Sequence, residues 1–308
     1  MSENNVSDIR KQIDTLDNRL HDLLIERAAL VLRIGEEKRR NNVQIIQPDR
    51  EIVMIRRLLA RHKGPLPKEA IVRIWRELVG AVSLLQTGLK VVVCAPDDHT
   101  GLHYWDMAKD YFSSVLPMQK VSNPLSALSM VRENEVTFAV VPWPEDELHN
   151  PWWGFLLDET GDHAMRIVAR LPLGDRTACD STPEHRALVV ARLKYEESGE
   201  DRTFMGLEID EAISRGRVVD KAREIGMDVT ALYTCPGFGP GKKLHLIEAD
   251  GFYSVDEEWS RTLLAALGDA DGKCLSLGGY PVPPVYEDKV GKGALESAAD
   301  DNKTRKKA

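Results

Sequence analysis

Residues 6–40 read VSDIRKQIDTLDNRLHDLLIERAALVLRIGEEKRR, a stretch with no proline and with Gly35 as its only glycine. Ile9, Ile13, Leu16, Leu20, Leu23, Leu24, Leu30, Val31 and Ile34 recur at spacings of three and four, which marks one face of an α-helix. Ser7 supplies half of a capping signal, so the helix starts near it. About 33 residues rising ~1.5 Å each make a rod of roughly 50 Å. A compact unit built from residues 1–88 has a radius of gyration of only about 12 Å. The rod overhangs its own core, and a second copy of the chain is the economical cover for its apolar stripe. The sequence therefore predicts an intertwined dimer at the front of the molecule.

Two further helices follow. Gln47-Pro48-Asp49-Arg50-Glu51 places proline inside a first turn, where its missing N–H costs no intrahelical bond. That helix runs to about His62 with Ile52, Ile55, Leu58 and Leu59 on one face. Gly64-Pro65-Leu66-Pro67 breaks it, and a third helix spans Pro67 to about Thr87 with Ile71, Ile74, Trp75, Leu78, Val79, Val82 and Leu85. Residues 1–88 are thus expected to form an all-α, three-helix domain. Arg27 and Lys38 lie about 1,100° apart along the first helix, on one face to within roughly 20°, beside Leu20, Leu24 and Val31. Two readings of that pair stay open: cations snorkelling at a core edge, or cations walling a site for an anion.

The 308 residues suit two or three domains. With 43% hydrophobic and 29% charged residues, the chain is neither disordered, collagenous nor membrane-embedded in composition. The apolar run Leu89–Ala95, interrupted by Lys90, is far short of the ~18–20 residues a spanning helix needs. Met1–Arg10 has no apolar signal core, which predicts a cytoplasmic address. Cys94, Cys179, Cys235 and Cys274 form no CxxC pair, so no disulfide framework or zinc site is expected. Residues 1–88 hold 16 Lys and Arg against 12 Asp and Glu, a net +4, while the remainder carries −12. So thin a basic excess fits a small polyanionic ligand and does not call for nucleic acid.

After Gly88 the hydrophobic period changes. Lys90–Cys94 and Thr137–Val141 read as strands separated by helical stretches near His103–Ser113 and Pro124–Glu133, with further strands at Arg166–Leu171 and Ala187–Arg192. Strands alternating with helices predict an α/β layer over 89–195. From Thr203 to Pro281 the order is strand, helix, strand, strand, helix, strand, an α+β unit placed at 200–284. Residues 285–308 read as a solvated, disordered tail. Asp97-Asp98-His99 reads as a turn before a metal site. Trp143, Trp152 and Trp153 either plug a sheet face or form an exposed partner patch. Gly237-Phe238-Gly239-Pro240-Gly241-Lys242 lacks Walker spacing and reads as a hairpin connection.

One set of residues carries a resemblance. Ile9-Arg10-x-x-Ile13-Asp14-x-Leu16-Asp17-x-x-Leu20, Leu24-x-Glu26-Arg27, Lys38, Pro48-x-Arg50-Glu51 and Ile74-Trp75-Arg76-Glu77, in order over residues 6–88, resemble the all-helical class of chorismate mutase. The resemblance implies a homodimer with two equivalent sites that rearrange chorismate to prephenate, with no cofactor and no metal. By position, Arg27, Lys38 and Arg50 would hold the substrate carboxylates and ether oxygen, and Arg10 would reach in from the partner chain. Glu51 would take the ring hydroxyl, and Gln86 would face the ether oxygen opposite Lys38. Such a rearrangement needs no nucleophile, only a dianion folded into a reactive conformer and donors aimed where charge gathers. Gln47 stands where the family usually has an aspartate, and Val82 where it has a serine, with Ser83 adjacent. Weaker substrate binding with intact chemistry is expected from both.

Residues 89–193, with Phe138-Ala139-Val140-Val141-Pro142, resemble the first lobe of prephenate dehydratase, and the α+β unit resembles an ACT-type (βαββαβ) regulatory domain. The dehydratase chemistry is missing: His185-Arg186-Ala187 replaces Thr-Arg-Phe, and too little chain remains for a second lobe. Ile213-Ser214-Arg215 and Tyr233-Thr234-Cys235-Pro236 replace the phenylalanine-binding turns, so that feedback is not inherited. The back region is expected to stabilise the dimer or dock an enzyme of the aromatic pathway. Isochorismate–pyruvate lyase and a catalytically inactive regulator are the alternative readings.

Overall fold

The computed structural model describes residues 2–95, 99–146, 148, 151–159, 161, 163–175, 186–254 and 258–286. Three helices open the chain: α1 (Ser2–Arg40), α2 (Pro48–Arg61) and α3 (Lys68–Thr87). Proline at the first position of α2, with Asp49 and Glu51 in its first turn, suits the positive end of the helix dipole. α1 is a rod of about 58 Å at ~1.5 Å per residue. Leu24, Arg27, Ala28, Val31, Gly35 and Lys38 face inward, at helical spacing, while residues 6–23 are exposed on every side. Ile9, Ile13, Leu16, Leu20 and Leu23 are each half or more exposed.

The chain then builds β1 (Val91–Cys94), α4 (His99–Phe112), β2 (Met118–Val121), α5 (Pro124–Arg132) and β3 (Phe138–Pro142). A 3-10 turn (Trp152–Asp158), β4 (Arg166–Leu171) and β5 (Ala187–Ala191) follow. The last section runs β6 (Asp201–Asp210), α6 (Arg215–Glu224), β7 (Asp228–Pro236), β8 (Lys242–Asp250), α7 (Glu258–Leu267) and β9 (Lys273–Pro281). The nine strands of the described residues share one sheet, ordered β2-β1-β3-β5-β4-β9-β6-β8-β7. β1 is parallel to both β2 and β3, and β5 is antiparallel to β3 and β4. A single parallel pair, Ile167 with Gly278, joins this half to the antiparallel β9-β6-β8-β7 half. The sequence treats these as separate units; the sheet runs through both.

Three clusters cover the faces. Tyr104, Ala108 and Phe112 of α4 pack on β1, β3 and β5, and Leu89 closes that core beside α3. Met205, Leu207 and Ile247 lie under α6 and α7. Trp143, Trp152 and Trp153 are buried with Phe204, Leu244 and Tyr280 between α5 and the sheet, at the join of its two halves. Trp143 Nε1 donates to the Tyr233 hydroxyl at 2.8 Å and Trp152 Nε1 to the Pro142 carbonyl at 3.1 Å. The tryptophans are core, and the alternative of an exposed patch is corrected. Val285 bridges to Asp175, and buried Tyr286 packs with Ile52, Ile55 and Leu59 of α2. Residues 285–286 are therefore structured, against the expectation of a tail; 287–308 lie outside the described residues, as do Asp97 and Asp98.

Candidate active site

α1, α2 and α3 enclose a cavity of about 550 Å³, within the ~300–1,000 Å³ typical of small-ligand clefts. Arg27 and Lys38 reach it from α1, Arg50, Glu51, Met54 and Arg57 from α2, and Val79, Val82, Ser83 and Gln86 from α3, with Gln47 just ahead of α2. Seven residues singled out from sequence thus converge: Arg27, Lys38, Gln47, Arg50, Glu51, Val82 and Gln86. Arg10 does not line the cavity of its own chain. It lies 17 residues before Arg27, about 25 Å along the helix axis. Arg57 went unread, although the signal was there: it follows Arg50 by seven residues on the same helix and so shares its face.

The cations split into two kinds. The guanidinium groups of Arg27, Arg50 and Arg57 have no hydrogen bond or ion pair among the described residues. Burial pushes the Arg27 pKa down, and burial followed by the nearby Arg50 charge does the same for Lys38. Positive charges crowded against partly desolvated walls are relieved by a bound anion. Lys38 is positioned instead: Nζ donates to the Ile45 carbonyl at 2.9 Å and to Gln47 Oε1 at 2.6 Å. An ammonium has three donors, so one remains. Gln86 Nε2 donates to the Val31 carbonyl at 2.6 Å. Gly35 permits this approach, since a Cβ there would stand 2.5 Å from that nitrogen. The second amide proton of Gln86 is unspent among the described residues.

The carboxylates are held at the edge. Glu51 Oε2 accepts from Arg76 at 2.6 Å. Asp49 is buried and its pKa is raised to about 6, chiefly by desolvation, with Glu196 and Glu51 adding to it against backbone hydrogen bonds. Glu196 comes from the strap between β5 and β6, its Oε2 3.5 Å from Gln47 Nε2. The same strap pairs its Lys194 backbone with the Gln44 side chain, at 2.8 and 3.3 Å. Arg56, on α2, donates to the Ser198, Glu200 and Val282 carbonyls at 2.8–3.1 Å. The helical domain is therefore tied to the sheet directly behind its cavity.

The remaining sequence features are accounted for more plainly. Arg186 stacks 5.1 Å over the Trp143 ring. Arg215 pairs with Asp146 at 2.7 Å, and the same carboxylate accepts from the Thr234 backbone N–H at 2.8 Å. Residues 237–241 connect β7 to β8 as a hairpin. No helix among the described residues is long and apolar enough to cross a membrane.

Comparison with known proteins agrees with the front of the chain. The family model for chorismate mutase type II matches residues 9–87. The bifunctional chorismate mutase/prephenate dehydratase of Aquifex aeolicus (strain VF5) is 38% identical over 95 residues, 30% of this chain and 26% of that protein. That of Stutzerimonas stutzeri is 28% identical over 187 residues, 56% of this chain and 49% of that protein. The chain thus spans a quarter to a half of the length of these relatives. Among solved structures, prephenate dehydratase from Streptococcus mutans overlays 64% of this chain and 100% of its own at 16% identity and a TM-score of 0.43, a likeness too loose to argue from. The cation-lined cavity and the matched segment coincide: every residue that lines the cavity falls within residues 9–87, the part of this chain that is similar to the chorismate mutase type II family.

Proposed function

We propose that the chain is a chorismate mutase, converting chorismate to prephenate on the way to phenylalanine and tyrosine. The observation that carries this is the cavity itself: three guanidinium groups without partners among the described residues and one ammonium with a proton to spare, around a space of small-ligand size. A dicarboxylate neutralises the crowded charge. The spare protons of Lys38 and Gln86 meet the ether oxygen, where negative charge gathers as the carbon–oxygen bond breaks, and stabilise the transition state more than the substrate. Clamping the enolpyruvyl arm against Val31, Ile34 and Val82 holds the reactive conformer. No proton or electron pair passes to the protein.

The working unit in this reading is a homodimer. The exposed apolar stripe of α1 is covered by the partner's α1, and Arg10 of each chain completes the other's cavity. The back two-thirds is a non-catalytic support with an ACT-like half. Arg215 and the Thr234 N–H are already taken by Asp146, which supports a regulatory pocket without the usual amino-acid ligand. The test is chorismate consumption by purified protein with prephenate identified as product, run beside isochorismate. Arg27→Ala is expected to lower kcat/KM by about 10²–10³-fold, the cost of losing one preorganised charge. Pyruvate release from isochorismate, with prephenate absent, would assign the lyase; no turnover of either by a folded dimer would assign a regulator.

A further inference from the structure

Glu51 presents a problem that the mutase chemistry alone does not solve. Its carboxylate stands on the wall of a cavity ringed by Arg27, Arg50, Arg57 and Lys38. A free carboxylate there would swing onto one of these cations and quench the site that a dianion must enter. Arg76 prevents it. Its NH1 holds Glu51 Oε2 at 2.6 Å, and Arg76 lines not this cavity but a small neighbouring one that Glu51 also borders, leaving the other oxygen available.

Arg76 is itself buried, with a side chain 5% exposed. A guanidinium out of water persists only where its donors are satisfied. Besides Glu51, its partners among the described residues all belong to Tyr111: Nε donates to the Tyr111 carbonyl at 2.6 Å, and the guanidinium lies 4.0 Å over the Tyr111 ring. That carbonyl is available for a physical reason. Tyr111 is the penultimate residue of α4, and the last four carbonyls of a helix have no intrahelical donor. A cation at the negative end of the helix dipole adds to the attraction.

The seam between α3 and the end of α4 is fitted closely. A Cβ on Gly80 would meet the Phe112 carbonyl at 1.9 Å, so only glycine admits this approach. One turn earlier, Glu77 accepts from the Ser114 backbone N–H at 3.0 Å and from its hydroxyl. Tyr111, Phe112 and Ser114 all lie beyond the segment that matches the mutase family.

We propose that Arg76 is a positioning residue for the mutase reaction and that the α4 terminus of the back lobe, through Tyr111, sets it. This rests on the mutase reading and on Glu51 as the group that meets the substrate's ring hydroxyl. The lobe is then a working part of the site, reaching the substrate through two side chains, and the mutase domain is incomplete without it.

The test compares chorismate with its analogue lacking the ring hydroxyl, in full-length wild type and in Arg76→Lys, Tyr111→Leu and Glu51→Gln. Arg76→Lys keeps the charge and loses the fork. It is expected to lower kcat/KM for chorismate about 10–100-fold, mainly through KM, and to change the value for the analogue less than threefold. Glu51→Gln should show the same selectivity loss, and the Arg76→Lys/Glu51→Gln double variant no further loss. Tyr111→Leu should fall between wild type and Arg76→Lys, and it carries the test if Arg76→Lys does not fold. Equal losses on both substrates, or unchanged selectivity in folded variants, would overturn the proposal. A wild type that turns over neither substrate would overturn the mutase reading itself.

Discussion

The two ends of this molecule treat charge and apolar surface in opposite ways. In the front helices, Leu20 and Leu23 stand 56% and 60% exposed, and the guanidinium groups of Arg27, Arg50 and Arg57 have no partners among the described residues. In the back, Trp153, Phe204 and Leu156 are fully buried, and charges close on one another: Arg170 on Asp175, Arg202 on Asp250, Arg215 on Asp146. Buried apolar groups and paired charges hold a fold together by themselves. Exposed leucines and unpaired arginines cost stability in isolation and make sense only when something else arrives. On the proposed function, the front is the region that binds, a second chain on α1 and an anion in the cavity, and the back the region that supports.

Mutation can break that division at either end. The largest effect is expected from Leu20→Glu, which puts a charge in the middle of the uncovered stripe. If α1 pairs as proposed, the chain should sediment as a monomer, and kcat/KM should fall on the order of a hundredfold because Arg10 would no longer reach the partner's cavity. A Leu20→Glu protein that remains a fully active dimer would mean that α1 is covered in some other way. At the back, Leu156→Ala empties a tightly packed position and should cost about 2–5 kcal/mol in denaturant titration, with kcat of the folded protein unchanged. A drop in kcat alongside the stability loss would show that the core reaches the site, and the Tyr111–Arg76–Glu51 connection is the route to examine.

Legibility follows the same division. α1, α2 and α3 announce themselves because helical periodicity and Pro48 are local signals, and the cavity residues repeat at spacings a helix brings together. Arg10 is misplaced if one chain is considered alone, since 17 helical residues hold it far from Arg27. β2 escaped the reading because four residues at a sheet edge, Met118–Val121, leave no period to count. The joining of the sheet at Ile167 and Gly278, and the approach of Glu196 to Gln47, bring together residues more than a hundred positions apart. Such contacts have no local pattern. Arg76 is the instructive case. It was visible as part of a motif, yet nothing in its spacing says that it turns inward to meet a carboxylate of α2 and the end of α4.

The smallest effect tests the point at which the two regions meet electrostatically. Asp49 sits at the start of α2, beside Glu51 on its own helix, Glu196 on the strap and Lys38 on α1, with a pKa raised from 3.8 to about 6 mainly by burial. A carboxylate that holds its proton more tightly in the folded state makes stability fall as pH rises from about 4 through 6, because the folded chain binds more protons than the unfolded one over that window. Above it, the penalty is fully present. Asp49→Asn keeps the shape and removes the charge, so it should stabilise the protein by about 1 kcal/mol at pH 7.5 and by nothing measurable at pH 4. The loss of a negative charge at a helix N-terminus works against this gain by up to ~1 kcal/mol, which is why the difference between the two pH values is the quantity to measure. Thermal melts of both proteins at pH 4, 6 and 7.5 supply it. Introducing Glu196→Gln beside wild-type Asp49 should recover part of the same difference, since the strap carboxylate raises the Asp49 pKa from the far side of the domain boundary. A gain that is flat with pH would mean that Asp49 is charged at no cost, and that the strap and the mutase helices touch without sensing one another.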